Sequence, residues 1–532
     1  MDLELEKNLI QRVALGDMFR RRANETPNRI ALRDYKGPGE VSYTCKELNQ
    51  KINCFASAAR KSDFGKGSKV ALLGLNSAEY LVALYGCAKA GITAVPVNPG
   101  IAPEEIIFVL NHCEATCLVV DSLLVPLIDK IRDHLPGIRQ MVCIKTGDEK
   151  VSEGYTPFEN FLAQGLPDEV DDVIIQDRDI FQILYTSGTT GKPKGVLISH
   201  LGVYISALST AIGFGLKPGY SATTILPIFH CAQQAVTYSA LNVGGSVSIF
   251  RQFEPGHVMK IIEKDQLNLI FALPIMYRAM MGHPDALTRN WDHLKTCVFG
   301  MAPMDQNTLE KGVEIFGADF MLGTGQTECF PATNVFRASE NLDKQGNYWG
   351  TSTLSLDTGV MDENGNILPP GEVGEIVWRG PSVMESYYKD EEATLESRKF
   401  GWHHSGDLGC FDEDGQLLFV DRKKDMIKTG GENVASIKVE LAIMADHRVD
   451  QVAVIGLPDE RWVEAVTAFV IPVKGSQITE QDIIQLCKKT LGKFEVPKKV
   501  IFMDNFPVTS TGKIRKNILR ETTAVVDTIA DK

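Results

Sequence analysis

Apolar and polar positions along this chain fall into two rhythms. Short β-branched or apolar runs fit strands, and the stretches between them carry apolar residues three to four positions apart, which fits helices. Lys69–Leu75 predicts a strand, Ser77–Ala90 a helix and Thr93–Val97 a strand; Thr116–Asp121 and Leu123–Leu135 repeat the strand–helix pair. The rhythm returns at Ser221–Leu226, Gly245–Ile249 and Leu269–Ala272, all read as strands. Such alternation implies an α/β fold, with mainly parallel sheets flanked by helices. After about Asn334 the texture changes. Strands at Glu372–Arg379 and Gln416–Val420, with turns at Glu363-Asn364-Gly365 and Glu413-Asp414-Gly415, predict a β-rich subdomain.

From Arg422 onward the pattern fits a compact α+β module. It comprises a helix near Ser436–Ala445, strands at Gln451–Gly456 and Ala465–Pro472, a helix at Thr479–Leu491 and a Pro/Thr/Gly turn over Phe506–Lys513. The charged run Asp421-Arg422-Lys423-Lys424-Asp425 marks the expected boundary between a large N-terminal domain, residues 1–421, and a small C-terminal domain, residues 422–532. A charged turn inside a single domain is the alternative.

Composition narrows the function classes. A chain of 532 residues exceeds what one hydrophobic core organises, and 44% hydrophobic with 23% charged residues is ordinary for a globular protein. A net charge of -13 argues against nucleic acid as a partner, yet leaves room for a small polyanion that meets only its local site. The apolar stretch Lys69–Asn98 is interrupted by Asn76, Glu79 and Lys89, too often for a transmembrane segment, and Met1–Lys7 lacks the plan of a secretory signal. The 11 cysteines are scattered without any Cys-x-x-Cys, Cys113 and Cys117 coming closest; the expected compartment is the reducing cytoplasm.

The segment Tyr185-Thr-Ser-Gly-Thr-Thr-Gly-Lys-Pro-Lys-Gly195 carries the most chemistry. It lies between the apolar runs Ile180–Leu184 and Val196–Ile198. Its glycines permit tight turns that expose amide donors, Thr186, Ser187, Thr189 and Thr190 add hydroxyls, and Lys192 and Lys194 add charge. That combination suits a polyphosphate. It is not a Walker loop, because Gly191-Lys192 is followed by Pro193.

Further segments follow in order: Leu226-Pro-Ile-Phe-His230, Phe299-Gly-Met-Ala-Pro303, Gly325-Gln-Thr-Glu328, Trp402-His-His-Ser-Gly-Asp407, Val420-Asp-Arg-Lys-Lys-Asp425, Gly430-Gly-Glu-Asn433 and Thr511-Gly-Lys513. Together with the loop they resemble, over nearly the whole chain, the acyl-adenylate-forming superfamily in its acid:coenzyme A ligase branch. The resemblance implies a mobile C-terminal lid and a two-step reaction. ATP and Mg2+ activate a carboxylic acid as its acyl-adenylate with release of pyrophosphate, and coenzyme A then takes the acyl group.

By that resemblance Thr186, Ser187, Gly188, Thr189, Thr190 and Lys194 hold the phosphates. Gly300, Met301, Ala302, Thr324, Gly325 and Gln326 border the nucleotide, and Asp407 and Arg422 meet the ribose. Thr327 donates to the α-phosphate, Glu328 holds Mg2+, and Lys513 neutralises the reacting carboxylate and α-phosphate. His230, Gln234 and Gly300 border the acyl pocket. Lys428, Gly430 and Gly431 serve the second step, and Lys424 is the hinge. Thr324 and Met301 depart from the family pattern, which has an aromatic residue and a glycine there. Gln233 and Gln234 hint at a polar or aromatic acid unless they face away from the pocket. A carrier-protein thiol is the alternative acceptor, a homodimer is left open, and a silent acyl or nucleotide sensor is the alternative outside the enzymes.

Overall fold

The computed structural model describes residues 2–36, 39–147, 150–186, 193–344, 346–508 and 514–521. Two large sheets organise the first four-fifths of the chain. In the first, strands Lys69–Leu73, Thr93–Val97, Cys117–Asp121 and Gln140–Ile144 run parallel, and the hairpin Ile180–Thr186/Lys194–Ser199 closes one side. In the second, Ile30–Tyr35, Val247–Phe250, Ala222–Thr224, Leu269–Ala272, Thr296–Phe299 and Asp319–Thr324 run parallel in that spatial order. The direction reverses at Asn334–Arg337. Beyond it the sheet continues antiparallel through Asn347–Ser352, Leu417–Arg422, His403–Phe411, Gly374–Arg379 and Asp357–Met361. The expected change of texture near Asn334 is this switch from parallel to antiparallel pairing.

The helix Ala78–Ala90 packs against strands of both sheets, and every residue in it except Glu79 is buried. A helix covered on all sides has no polar face, which is why its sequence is apolar nearly throughout. Its ends are set locally: the Ser77 hydroxyl accepts from the Tyr80 amide, and Gly91 takes a left-handed conformation at φ 67°. The predicted helix over Leu123–Leu135 is instead one α-helical stretch, Val125–Ile131, between two tight helical turns. Pro126 lacks an amide donor and sits where a helix begins, which shortens the regular part.

The C-terminal module pairs Val449–Asp459 with Val463–Pro472 and adds Lys499–Phe502 in parallel, with helices Ser436–Met444 and Glu480–Thr490 packed on these strands. Asp421, 3% exposed at the end of the preceding strand, accepts from the Ser436 amide and so holds the start of the first of these helices. Ile437 packs on the cluster of Cys329, Trp378, Leu417 and Phe419.

Asp34 lies fully buried at the end of Ile30–Tyr35, where Oδ2 accepts from the Ala78 amide at 2.7 Å. Burial raises its carboxyl from 3.8 to about 6; the charge of Glu79 adds to the rise, while the Ala78 bond, Lys36 and Arg251 oppose it. A folded state that binds this proton more tightly than the unfolded chain loses stability as pH rises from about 4 through 6. Asp34→Asn keeps an acceptor for Ala78 without the charge. It should stabilise the protein by on the order of 1–3 kcal/mol at pH 8, and the gain should shrink as pH falls towards 4. Thermal midpoints of both proteins across that range check this; a gain that does not depend on pH would contradict it.

Candidate active site

The site forms where the parallel strands of the second sheet end. Thr296–Phe299 and Asp319–Thr324 lie side by side with Phe299 opposite Leu322, so Gly300–Met301 leave the sheet beside Gly323 and Thr324, which stay paired with Val335 and Asn334. Open α/β sheets bind ligands at such carboxyl ends. A Cβ on Gly300 would stand 2.9 Å from the Gly323 carbonyl oxygen, and one on Gly325 would stand 2.6 Å from the Pro331 Cβ. Both glycines are required by close approach. Met301 sits at φ 65° with 38% of its surface exposed, and Ala302 beside it is exposed. Thr324 turns its hydroxyl to the Asn334 carbonyl at 3.3 Å.

Gln326 links this segment to the antiparallel part of the sheet. Its Nε2 donates to the Ser405 carbonyl at 2.8 Å and to Asp407 Oδ2 at 3.0 Å. Asp407 is buried, faces Arg422 in the register of the neighbouring strand, and has the Arg422 Nε 3.6 Å from its Oδ1. His403, two residues before Ser405, is buried against Trp378, and burial lowers its imidazole to about 4, so it is neutral at pH 7.

Glu328 sits in the tight turn Thr327–Cys329 and accepts from the Tyr387 hydroxyl at 2.9 Å. Burial raises its carboxyl above the usual range; the Asp407 charge adds to this, while the Tyr387 hydrogen bond and Lys194 oppose it. Tyr387 is the residue that joins Glu328 to the hairpin Ile180–Thr186/Lys194–Ser199. Its short strand pairs with Val196–Leu197, and the Lys194 ammonium stands 5.0 Å from its ring centre. Thr186 and Lys194 face each other across the hairpin. Ser187, Gly188, Thr189 and Thr190 lie outside the described residues.

Among the described residues, no group of three carboxylate, imidazole or thiolate side chains converges as a metal cage, and Glu328 has no ion-pair partner. A single carboxylate fits Mg2+, which keeps several waters and shares phosphate oxygens.

His230 begins the helix Cys231–Asn242, and its Nδ1 accepts from the Ala232 amide at 3.2 Å. The next residue ties it to the turn Thr327–Cys329, because Cys231 Sγ lies 3.5 Å from the Thr327 hydroxyl. Burial pushes the Cys231 thiol up to about 12, so it remains protonated. Gln233 turns inward to the fold: Oε1 accepts from the Leu226 amide, and Nε2 donates to the Thr223 carbonyl and the Thr237 hydroxyl. Its polarity is accounted for by the backbone. Gln234 donates to the Ile228 carbonyl at 3.0 Å, whereas its buried Oε1 meets no donor among the described residues.

The remaining sequence-predicted residues lie beyond Arg422, in the C-terminal part of the chain. Gly430 and Gly431, at φ 60° and 90°, form the two-residue turn of a hairpin in which Thr429 faces Glu432. Two consecutive left-handed residues are what that turn type demands, so the glycine pair has a folding reason of its own. Gly430 donates to the Trp462 carbonyl at 2.7 Å. Lys428 is exposed, and its amide donates to Glu464 at 2.6 Å. Lys424 has its amine shifted down by partial burial and by the neighbouring Arg422 charge. Lys513 lies outside the described residues; Val508 and Ile514, on either side of it in sequence, pair antiparallel.

Residues 19–388 match the AMP-binding enzyme family, and residues 438–513 match the AMP-binding enzyme C-terminal domain. A feruloyl-CoA synthase from an Amycolatopsis species is 32% identical over 95% of this chain and 98% of its own. A long-chain-fatty-acid–CoA ligase of Mycobacterium tuberculosis is also 32% identical, over 95% and 98%. The anthranilate CoA ligase AuaEII in complex with anthranoyl-AMP superposes with a TM-score of 0.86 at 25% identity, covering 96% of this chain and 97% of the other. ATP-bound MatB from Rhodopseudomonas palustris gives 0.86 at 26% identity, covering 96% and 99%.

The close approaches at Gly300 and Gly325 generate a stability prediction. Gly300→Ala and Gly325→Ala should each lower stability by about 1–3 kcal/mol, read as a fall in thermal midpoint. The exposed Gly215→Ala, strained by its φ of 68° alone, should cost less because a Cβ there meets nothing within 4 Å. Equal losses at all three positions would show that packing is not the cause.

Proposed function

Because the chain is a member of the AMP-binding enzyme family, a ligase that activates a carboxylic acid as its acyl-adenylate with ATP and passes the acyl group to coenzyme A, we propose that the groups around Gln326 form its nucleotide seat. Support comes from the Gln326 amide, which joins Asp407 to the Thr327–Glu328 turn in one hydrogen-bonded unit. On this proposal Asp407 accepts the ribose hydroxyls with Arg422 beside it, Gly300, Met301, Ala302, Thr324 and Gly325 border the base, and residues 186–190 with Lys194 take the phosphates.

The acid's carboxylate oxygen attacks the α-phosphorus, a P–O bond forms, and the bond to pyrophosphate breaks. Negative charge concentrates on the α-phosphate as it does so. Thr327 donates to that oxygen, and the Lys513 ammonium neutralises it from the C-terminal module. A preorganised charge in a site shielded from water is worth several kcal/mol to such a step. Glu328 is the residue that would hold Mg2+, which when bound neutralises charge on the phosphate oxygens. Tyr387 fixes the Glu328 carboxylate by donating to Oε1.

In the second step the coenzyme A thiol attacks the acyl carbon and AMP leaves. We place a pivot at Lys424, just past the boundary between residues 421 and 422, so that Lys513 withdraws and Lys428 with the Gly430–Gly431 turn faces the adenylate. His230 borders the acyl carboxylate. Gln234, with its unpaired buried Oε1, favours an acid that carries a hydrogen-bond donor. The relatives are named for acids from ferulate and indoleacetate to long-chain fatty acids. All 11 cysteines are unpaired, and among the described residues no helix is long and apolar enough to cross a membrane. The proposed compartment is therefore the cytoplasm.

The test is pyrophosphate release over short, long, branched, hydroxylated and aromatic acids, with and without coenzyme A. Release that requires the acid, with thioester formed once coenzyme A is added, is the expected result. Release without thioester would point to a carrier-bound thiol as acceptor. Lys513→Ala should slow adenylation by about 10²–10³-fold. Lys424→Pro should leave adenylation nearly intact and cripple thioester formation, and equal loss of both half-reactions would refute the pivot.

A further inference from the structure

The strand Ala222–Thr224 ends six residues before His230, and the chain between them crosses the interior without a partner strand. Buried backbone amides and carbonyls need partners all the same. Three side-chain amides supply them. The Leu226 amide donates to Gln233 Oε1 at 3.0 Å, and the Leu226 carbonyl accepts from Asn76 Nδ2 at 2.9 Å. The Ile228 amide donates to Asn76 Oδ1 at 2.8 Å, and the Ile228 carbonyl accepts from Gln234 Nε2 at 3.0 Å. All four polar groups of these two residues are thereby held.

Asn76 contributes most to this clamp. It comes from the other sheet, at the corner between Lys69–Leu73 and the helix Ala78–Ala90, and is only 5% exposed. Its Nδ2 also donates to the Phe250 carbonyl at 3.1 Å, so a single side chain ties the segment to the end of a third strand. Beyond the clamp, the His230 amide donates to the Pro227 carbonyl at 3.0 Å, and the Gln234 amide donates to the His230 carbonyl at 3.2 Å. His230 therefore stands on backbone whose position is set from Asn76. Through Cys231 that backbone also touches Thr327.

We propose that Asn76 is a positioning residue for acid binding, acting through His230 by fixing the Leu226–Ile228 backbone from the opposite sheet. Only a side chain with a donor and an acceptor on one planar head can hold the Leu226 carbonyl and the Ile228 amide at once. Aspartate keeps the acceptor for Ile228 but turns a second oxygen towards the Leu226 and Phe250 carbonyls. The proposal rests on the assignment of His230 to the acyl carboxylate.

The experiment is a double-mutant cycle on steady-state pyrophosphate release, using the best acid from the panel. Asn76→Asp should raise the KM for the acid about tenfold, while the KM for ATP stays within about twofold. In the His230→Ala background the same substitution should change the acid KM less than about twofold, because the group it positions is gone. Gln233→Met removes the acceptor for Leu226 and should behave likewise on a smaller scale; it carries the test if Asn76→Asp does not fold. An effect of equal size with and without His230, or an equal rise in the KM for ATP, would overturn the proposal. If His230→Ala alone leaves the acid KM unchanged, the His230 assignment fails. If His230→Ala raises the acid KM and neither clamp variant does, the clamp alone fails.

Discussion

Parallel strands that end inside a protein leave backbone amides and carbonyls with no ladder to join, and this molecule has many such ends between its two sheets. The structure depends on how those groups are satisfied. Asn76 is the clearest instance: one buried amide bonds to the backbone of Leu226, Ile228 and Phe250, and so joins the two sheets at the level of the site. Gln326 does a similar task where the parallel half of the second sheet gives way to the antiparallel half, reaching the Ser405 carbonyl and the Asp407 carboxylate. Asp421 does it once more at the junction with the small module, where it accepts from the first amide of the helix Ser436–Met444. Neutral or charged, each of these side chains lets a ladder stop without leaving an orphaned group.

The electrostatics of the site follow from the same geometry. Burial works against ionisation of Glu328, and the charge of Asp407 adds to that effect. Arg422 faces Asp407, while Lys194 reaches Glu328 only through the Tyr387 ring and the field across it. Glu328 keeps the hydrogen bond from the Tyr387 hydroxyl and has no ion-pair partner among the described residues. Cys231 and His403 take no charge in this setting, since burial holds the thiol protonated and the imidazole neutral.

The small module is attached so that its ends are firm and the connection short. The strand Leu417–Arg422 remains paired with His403–Phe411 up to the Asp407–Arg422 pair. Lys423 and Lys424 follow, exposed, and then Asp425 is buried again and held by Arg520. Two exposed residues thus lie between two anchored ones. The Gly430–Gly431 turn closes a short hairpin and is tied to the Trp462 carbonyl.

Elements whose ends are fixed by their own residues were legible in the sequence. The strand Thr93–Val97, the strand Leu269–Ala272 and the helix after Ser77 appear where the pattern puts them, because capping, β-branching and burial on both faces act over a few neighbouring positions. Family membership was legible for the same reason, in contiguous motifs. Tertiary structure alone decided the rest. The glutamines after His230 looked like hints about a ligand, and Gln233 proved to satisfy the backbone of Leu226 and Thr223. Tyr387 gave no signal, for nothing in its neighbourhood announces that it reaches Glu328, 59 residues away. Asn76 registered only as an interruption in an apolar run, yet its partners Leu226 and Ile228 lie 150 and 152 residues on. A local pattern can reveal that a polar group is buried, but which distant backbone it must satisfy is settled only when the two sheets are brought together.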